Sequence, residues 1–141
     1  MHILDTDLFS MTDRDETAEG QRLRLRLATL RADELATTIL TFEEQMRGWL
    51  AWIKKASSLS QQIERYQRLK RMVVSYQNVI ILDFDRLAAA EFERLQKQRI
   101  RIGTMDLKIA AIALAHDATL LSRNLKDFSK VPGLKVEDWA A

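Results

Sequence analysis

Acidic residues stand at the ends of several predicted strands of this 141-residue chain. Asp5 directly follows a short apolar stretch, and Asp7 comes two residues later. The other acids, Glu44, Asp106 and Asp127, each lie near a different predicted strand or strand-to-helix connection. A parallel sheet brings the carboxyl ends of its strands to one edge. We therefore expect Asp5, Glu44, Asp106 and Asp127 to meet there as catalytic residues.

Carboxylates gathered in this way would repel one another. Two unit charges about 4 Å apart repel by about 4 kcal/mol at an effective dielectric constant of 20. Either their pKa values rise, or a divalent cation lies among them. Oxygen ligands without histidine or cysteine suit Mg²⁺ or Mn²⁺, which can activate water and stabilise a phosphodiester in transit. Ser122 and Asn124 offer neutral oxygens beside the acids.

Each acid also has a purely structural interpretation. Glu44 follows Thr41 by three residues, the spacing of a capping box at a helix start. Asp106 falls in the first turn of a helix whose natural N-cap is Thr104, where a carboxylate interacts favourably with the helix dipole. Asp127 is then an exposed acid in a loop. The residue types alone leave both interpretations open.

The predicted elements alternate between strand and helix. Strands are expected at 2–5, 35–40, 78–84 and 118–122, with a short edge strand within 131–139. Helices are expected at 42–55, 58–76, 86–99 and 103–117, while 17–31 favours helix but its RLRLRL alternation also fits a strand. Asp7 or Ser10 could cap a helix after the first strand, and Asp85 caps the one at 86. This order predicts one domain, 1–141, folded as a three-layer α/β/α sandwich around a mainly parallel four- to five-stranded sheet.

Composition excludes several classes of protein. Hydrophobic residues make up 47% and charged residues 30% of the chain, and there is no cysteine, so disulfide scaffolds and thiolate metal sites are excluded. No signal peptide is apparent at the N-terminus, and no apolar run approaches the roughly 18 residues of a membrane span. We expect a cytoplasmic protein without a membrane partner.

Charge is unevenly distributed along the chain. Residues 1–46 hold 5 basic and 10 acidic side chains, whereas 47–101 hold 12 basic and 5 acidic ones. The basic middle is compatible with a protein that handles a polyanion, or with a helical face that is only solvated. The residues concerned are Lys54, Lys55, Arg65, Arg68, Lys70 and Arg71.

Longer motifs give the sequence a family resemblance. The stretches LDTD at 4–7, TFEEQMRG at 41–48, GTMDLKIAAIALAHDATLLSRNLKDFSKVPGL at 103–134 and the closing VEDW occur in an order typical of one group of proteins. Over essentially its whole length the chain resembles the PIN domain family and, within it, the VapC-type toxins of bacterial toxin–antitoxin pairs.

The resemblance assigns roles to particular residues. The family's first Asp corresponds to Asp5, and its Glu to Glu44 rather than Glu43, because Gly48 follows at the family's spacing. The third acid corresponds to Asp106. Many members carry the fourth acid where this chain has Asn124, so Asp127 would supply that function. Thr6 and Ser122 match positions that help to orient water or phosphate.

The resemblance also implies an activity and partners. It implies a Mg²⁺- or Mn²⁺-dependent endoribonuclease with Asp5, Asp106 and Asp127 as metal ligands and with Glu44 holding a water or acting as base. Cleavage would leave a 5′ phosphate and a 3′ hydroxyl. It further implies a homodimer and a cognate antitoxin lying along a groove near the site, where Trp49 and Trp52 could make the contact or serve the dimer. The alternatives are a degenerate PIN module that binds RNA or a protein without cutting, and, from different chemistry, an aspartate-nucleophile phosphatase.

Overall fold

Residues 1–13 and 15–141, which the computed structural model describes, form five strands and seven α-helices. The strands are β1 His2–Leu4, β2 Leu35–Thr38, β3 Ile80–Leu82, β4 Thr119–Leu121 and β5 Lys135–Glu137. The helices are α1 Thr6–Met11, α2 Ala18–Leu27, α3 Ile39–Lys54, α4 Leu59–Ser75, α5 Arg86–Lys97, α6 Thr104–Ala115 and α7 Leu125–Phe128. Across these described ranges, no helix is long and apolar enough to cross a membrane.

The strands form one parallel sheet in the order β3-β2-β1-β4-β5. The chain runs outward from β1 to β2 and β3 on one side, and then returns to β4 and β5 on the other. The strand order therefore reverses at β1, and sites of parallel sheets form beyond the carboxyl ends of the strands at such a point. The predicted parallel α/β/α sandwich is confirmed.

Helices cover the two faces of the sheet because successive strand residues point to opposite sides. Ile3 and Leu120 pack in the cluster that contains α5 and α6, whereas Leu4 and Leu121 pack in the cluster that contains α1, α2 and the end of α4. Every residue from 109 to 113 of α6 is 0% exposed. The Ala-rich helix α6 was predicted to pack tightly on the sheet. Its buried middle holds its first turn in a fixed position.

The expected N-cap residue is wrong for helix α1 and also for helix α3. Neither Asp7 nor Ser10 caps α1; Asp5 is the N-cap, and its side chain accepts the N–H of Thr6. Helix α3 begins three residues earlier than expected because the Thr38 hydroxyl accepts the N–H of Thr41 at 3.1 Å. Glu44 therefore lies in the second turn, and its capping-box interpretation is wrong.

The remaining corrections concern helix starts in the second half of the chain. Thr104 is the first residue of α6 rather than its cap, since Gly103 takes the N-cap position without a side-chain hydrogen bond. Asp127 lies in α7 rather than in a loop, because the Asn124 side chain caps that short helix. The Asp85 cap is confirmed, and the ambiguous 17–31 segment forms helix α2.

Candidate active site

Asp5 lies at the carboxyl end of the central strand and is 6% exposed. Its two carboxylate oxygens are held separately. Oδ1 accepts the N–H of Thr6 at 2.7 Å, and Oδ2 accepts the Ser122 hydroxyl at 2.7 Å. Ser122 in turn accepts the N–H of Asn124 at 3.0 Å. The turn after β4 therefore fixes the orientation of the carboxylate that follows β1.

The environment of Asp5 disfavours its negative charge. Burial raises the pKa of Asp5 to about 7, and the charges of Asp7 and Asp106 add to this, whereas the hydrogen bonds from Ser122 and Thr6 act in the opposite direction. At neutral pH, Asp5 is therefore about half protonated, and a nearby cation would favour its ionised form.

Glu44 reaches the same edge of the sheet from helix α3. It is half-buried, and its Oε1 accepts the Thr6 hydroxyl at 3.1 Å. Burial raises the pKa of Glu44, and the charges of Asp106 and Asp7 raise it further. Thr6, which follows Asp5 directly, therefore links the carboxylate on α3 to the end of β1.

Asp106 lies in the first turn of α6, close enough for its charge to raise the pKa of both Asp5 and Glu44. Burial raises the pKa of Asp106 itself, and the charges of Asp127 and Asp7 raise it further. The side-chain amide of Asn124 lies 3.5 Å from Asp106 Oδ2 and 3.1 Å from Asp127 Oδ2. Asp106 is thus a neighbour of each of the other three acids.

Asp127 differs from the other three acids in its partners. The hydrogen bond from Asn124 lowers the pKa of Asp127, and Lys130, whose Nζ is 3.4 Å from Asp127 Oδ1, lowers it further. Within residues 1–13 and 15–141, no lysine or arginine forms an ion pair with Asp5, Glu44 or Asp106. Within the described residues, Lys130 therefore balances the negative charge of Asp127. Asp5, Glu44 and Asp106, the three inner acids, have no such positive partner.

Asp7 also acts on the site, although the sequence suggested only a helix cap for it. Its Oδ1 accepts the N–H of Leu8 at 2.8 Å, and its charge raises the pKa of Asp5, Glu44 and Asp106. The signal that could have identified it was the spacing of two residues from Asp5.

The donor set suits a hard divalent cation. Carboxylate oxygens with a neighbouring hydroxyl and amide, and without histidine or cysteine, are the ligands that Mg²⁺ and Mn²⁺ take in proteins. As they stand, the described residues contain no group of three or more His, Cys, Asp or Glu side chains close enough to hold a metal ion. The uncompensated charge of buried Asp5 beside Asp106 nevertheless fits a cation that keeps most of its water ligands.

A groove lies between α1, α3 and α4, and none of the four candidate acids lines it. Its volume is about 520 Å³, and its walls include Phe9, Trp49, Trp52, Arg68 and Met72. The rings of Trp49 and Trp52 meet edge to face, with their centroids 5.1 Å apart, and the Arg68 guanidinium lies 5.5 Å from the Trp52 ring. The groove thus combines an aromatic wall with a positive rim.

The PIN domain profile matches residues 3–134. The chain belongs to the PIN domain family. The family resemblance seen in the sequence motifs is therefore confirmed. The match covers β2, β3, β4 and all but one residue of β1, and it ends just before β5.

Several named relatives share parts or all of this PIN domain. Ribonuclease VapC1 of Rickettsia felis is 55% identical over 42 residues, which are 30% of this chain and 31% of that protein. The match therefore spans about a third of that relative. Ribonuclease VapC1 of Haemophilus influenzae strain R2866 is 29% identical over 143 residues, covering 99% of this chain and 98% of the relative.

A solved structure shows the same fold. The structure of VapBC-1 from nontypeable Haemophilus influenzae superposes with a TM-score of 0.73 at 23% identity, covering 99% of this chain and 98% of the other. This likeness extends the family assignment from sequence to the order and packing of the elements.

Proposed function

We propose that this single PIN domain, residues 1–141, is a Mg²⁺- or Mn²⁺-dependent endoribonuclease and the toxin of a cytoplasmic toxin–antitoxin pair. The observation that carries the proposal is the group of three acids, Asp5, Glu44 and Asp106. Burial raises the pKa of each, the charge of Asp106 raises the pKa of the other two further, and none of the three has an ion-pair partner in the described chain. The activity in the names of the VapC relatives supports the same reaction.

The side chains of the site have distinct roles in this reaction. Asp5 and Asp106 would hold the cation, with Asp127 completing its surroundings through Asn124. A bound Mg²⁺ would acidify water and neutralise charge on the phosphodiester. Glu44, held by Thr6, would orient the attacking water and accept its proton at a carboxylate oxygen. The water oxygen would bond to phosphorus as the P–O3′ bond breaks, and O3′ would take a proton from solvent, which leaves a 5′ phosphate and a 3′ hydroxyl. Ser122 would keep Asp5 Oδ2 in place.

The test is cleavage of a single-stranded RNA by the purified chain with Mg²⁺ or with EDTA. Cleavage should need the cation and should be abolished by Asp5→Asn. The matched control is Asp117→Asn, which makes the same chemical change at a side chain that is 95% exposed and paired with Lys135. RNA binding without cleavage by the wild-type chain would instead favour the degenerate, binding-only PIN module.

The groove between α1, α3 and α4 is the proposed binding site of the antitoxin. Gly48 forms part of its wall, and a Cβ at this position would have no atom within 4 Å. A side chain added there would therefore begin in open space at the groove wall. Replacing a helix-interior glycine also removes an unfavourable residue, by about 0.5–1 kcal/mol relative to alanine. The fold should therefore tolerate the change.

Gly48→Leu tests this placement, with Gly48→Ala as the control that leaves most of the groove open. Purified from native cells, the wild-type chain and Gly48→Ala should carry a small partner protein in equal amount. Gly48→Leu should lose that partner and keep metal-dependent cleavage. A fully loaded Gly48→Leu complex would place the antitoxin elsewhere.

A separate apolar surface supports the proposed homodimer. Leu59, Ile63 and Tyr66 of α4 are 72%, 56% and 57% exposed. By helical spacing they lie on the side opposite Arg68 and Met72 of the groove. Dimer and antitoxin contacts would thus use different sides of α4.

Light scattering can test the dimer against the 16.3 kDa mass of one chain. The wild type should have twice that mass, and Ile63→Glu should be monomeric. The control Leu25→Glu changes an apolar side chain on α2 that is 73% exposed, and it should stay dimeric. A monomeric wild type, or a dimeric Ile63→Glu variant, contradicts this surface.

A further inference from the structure

Three threonines at the start of α3 are completely buried. Thr37, Thr38 and Thr41 are each 0% exposed. A buried hydroxyl group is costly unless it is hydrogen-bonded. Thr37 donates to the carbonyl of Leu4 at 2.9 Å, which ties β2 to β1. Thr38 and Thr41 have no such partner in the sheet and instead face the active site.

The hydroxyl groups of Thr38 and Thr41 continue to Thr6. Thr41 Oγ1 lies 3.3 Å from Thr38 Oγ1 and 3.4 Å from Thr6 Oγ1. Thr6 Oγ1 in turn lies 3.1 Å from Glu44 Oε1. Thr41 and Glu44 are three residues apart on one helix and so share a face. Four side chains therefore form one continuous row that ends at a carboxylate of the site.

The Thr6 hydroxyl is the donor that joins this row to the site. Its oxygen lies within reach of both Glu44 Oε1 and Thr41 Oγ1, and it can donate to either. Between Thr38 and Thr41 either hydroxyl can be the donor. A hydroxyl has a single proton, and an ionised carboxylate can only accept, so Thr6 donates to Glu44 when that side chain carries its charge. The Thr41 oxygen then lies against the Thr6 hydroxyl and restricts the positions that it can take.

We infer that Thr41 is a positioning residue, which fixes the Thr6 hydroxyl and through it the carboxylate of Glu44. The inference rests on the proposed function, because its consequence is the placement of the group that handles the reacting water. Thr41 touches neither RNA nor cation in this account. It was expected only as a helix cap, a position that Thr38 occupies.

The activity test compares two isosteric variants. Thr41→Val removes the hydroxyl from the row and should lower kcat for metal-dependent RNA cleavage by about tenfold to a hundredfold, the scale of a misplaced reacting group. KM should change by less than about twofold, since ground-state binding is retained. Thr41→Ser should restore kcat. Thr37→Val removes an equally buried hydroxyl outside the row and should keep kcat within about twofold of the wild type.

Crystal structures of the metal-free variants give a second readout that does not depend on activity. In Thr41→Val the Glu44 carboxylate should move away from Thr6 until no hydrogen bond joins them, while Thr37→Val should retain the contact, which is 3.1 Å in the wild type. If the wild type is active and Thr41→Val and Thr37→Val have the same kcat, the inference is wrong. It is also wrong if Glu44 has not moved in the Thr41→Val structure. A wild type without metal-dependent cleavage overturns the proposed function, and the structures then decide the positioning separately.

Discussion

The inner acids and Asp127 lie at the same edge of the sheet but differ in how their charge is balanced. Burial raises the pKa values of Asp5, Glu44 and Asp106, and the charge of Asp106 raises those of Asp5 and Glu44 further. The Asn124 hydrogen bond and the nearby Lys130 lower that of Asp127. Within the described residues, the protein therefore gives one carboxylate a positive partner and gives the other three only hydrogen bonds.

This difference indicates where a bound cation would relieve the most electrostatic repulsion. A positive charge close to Asp5 and Asp106 relieves repulsion that no lysine or arginine of the described chain relieves by ion pairing. A cation beside Asp127 would compete with Lys130. We therefore expect Asp127 to adjust the site rather than to create it.

The largest expected effect separates Asp106 from Asp127. Asp106→Asn should lower metal-dependent RNA cleavage by about a thousandfold or more, because it removes a ligand of the group that supplies several kcal/mol of charge stabilisation. Asp127→Asn should lower it by about tenfold, the lower end of losses at supporting positions around a metal. Cleavage rates over a Mg²⁺ titration would show both. Equal losses of cleavage in the two variants would mean that Asp127 is as important to the site as Asp106.

Metal-free stability should depend on pH through Asp5. Its pKa is about 7 in the folded protein against 3.8 ordinarily, so the folded state binds more protons than the unfolded state between these values. Stability therefore falls as pH rises from about 4 to about 7, by up to roughly 4 kcal/mol at 1.4 kcal/mol per pKa unit.

Asp5→Asn should flatten this pH dependence and be more stable than the wild type at pH 8 without metal. Denaturant unfolding at several pH values measures it, with Asp117→Asn as the exposed control. Parallel pH curves for the wild type and Asp5→Asn would mean that the folded protein does not penalise the Asp5 charge.

A smaller effect is expected from the hydroxyl that holds Asp5. Ser122→Ala removes the hydrogen bond to Asp5 Oδ2 and the acceptor for the N–H of Asn124. The loss should destabilise the folded chain by about 1.5–3 kcal/mol at pH 8, the range for hydrogen bonds to charged groups. Unfolding in urea provides the measurement. A variant as stable as the wild type would show that Ser122 is not needed to hold Asp5.

The smallest effect is expected at the compensated acid. Lys130→Gln should raise the pKa of Asp127 toward its ordinary value, while the thermal midpoint stays unchanged within error because the pair is exposed. Carboxyl NMR titration can follow Asp127 directly. A pKa of Asp127 that does not move would assign the compensation to Asn124 alone.

The inner site was largely predictable from sequence because its acids follow recognisable elements. The apolar residues before Asp5 predict a buried strand, and the alternation of strands and helices predicts a parallel sheet whose carboxyl ends meet. The Ala-rich stretch after Asp106 predicts a tightly packed helix. These features depend on local pattern and on sheet topology, both of which the sequence carries.

The caps and the charge balance were less predictable because they depend on short three-dimensional distances. Both Thr38 and Thr41 could have capped α3, and only the folded backbone selects Thr38. The pairing of Asp127 with Lys130 depends on α7, which the sequence suggested as a loop. The link from Thr41 to Thr6 joins residues 35 positions apart and has no signal in either segment.

The central claim is that Asp5 and Asp106 need a divalent cation between them, and anomalous diffraction from crystals grown with Mn²⁺ tests it most directly. The account predicts a manganese peak about 2.0–2.6 Å from an oxygen of each carboxylate or one water ligand farther away, and no peak there in Asp106→Asn crystals. A fully active protein whose manganese lies elsewhere, with the Asp5 and Asp106 carboxylates turned apart, would contradict it.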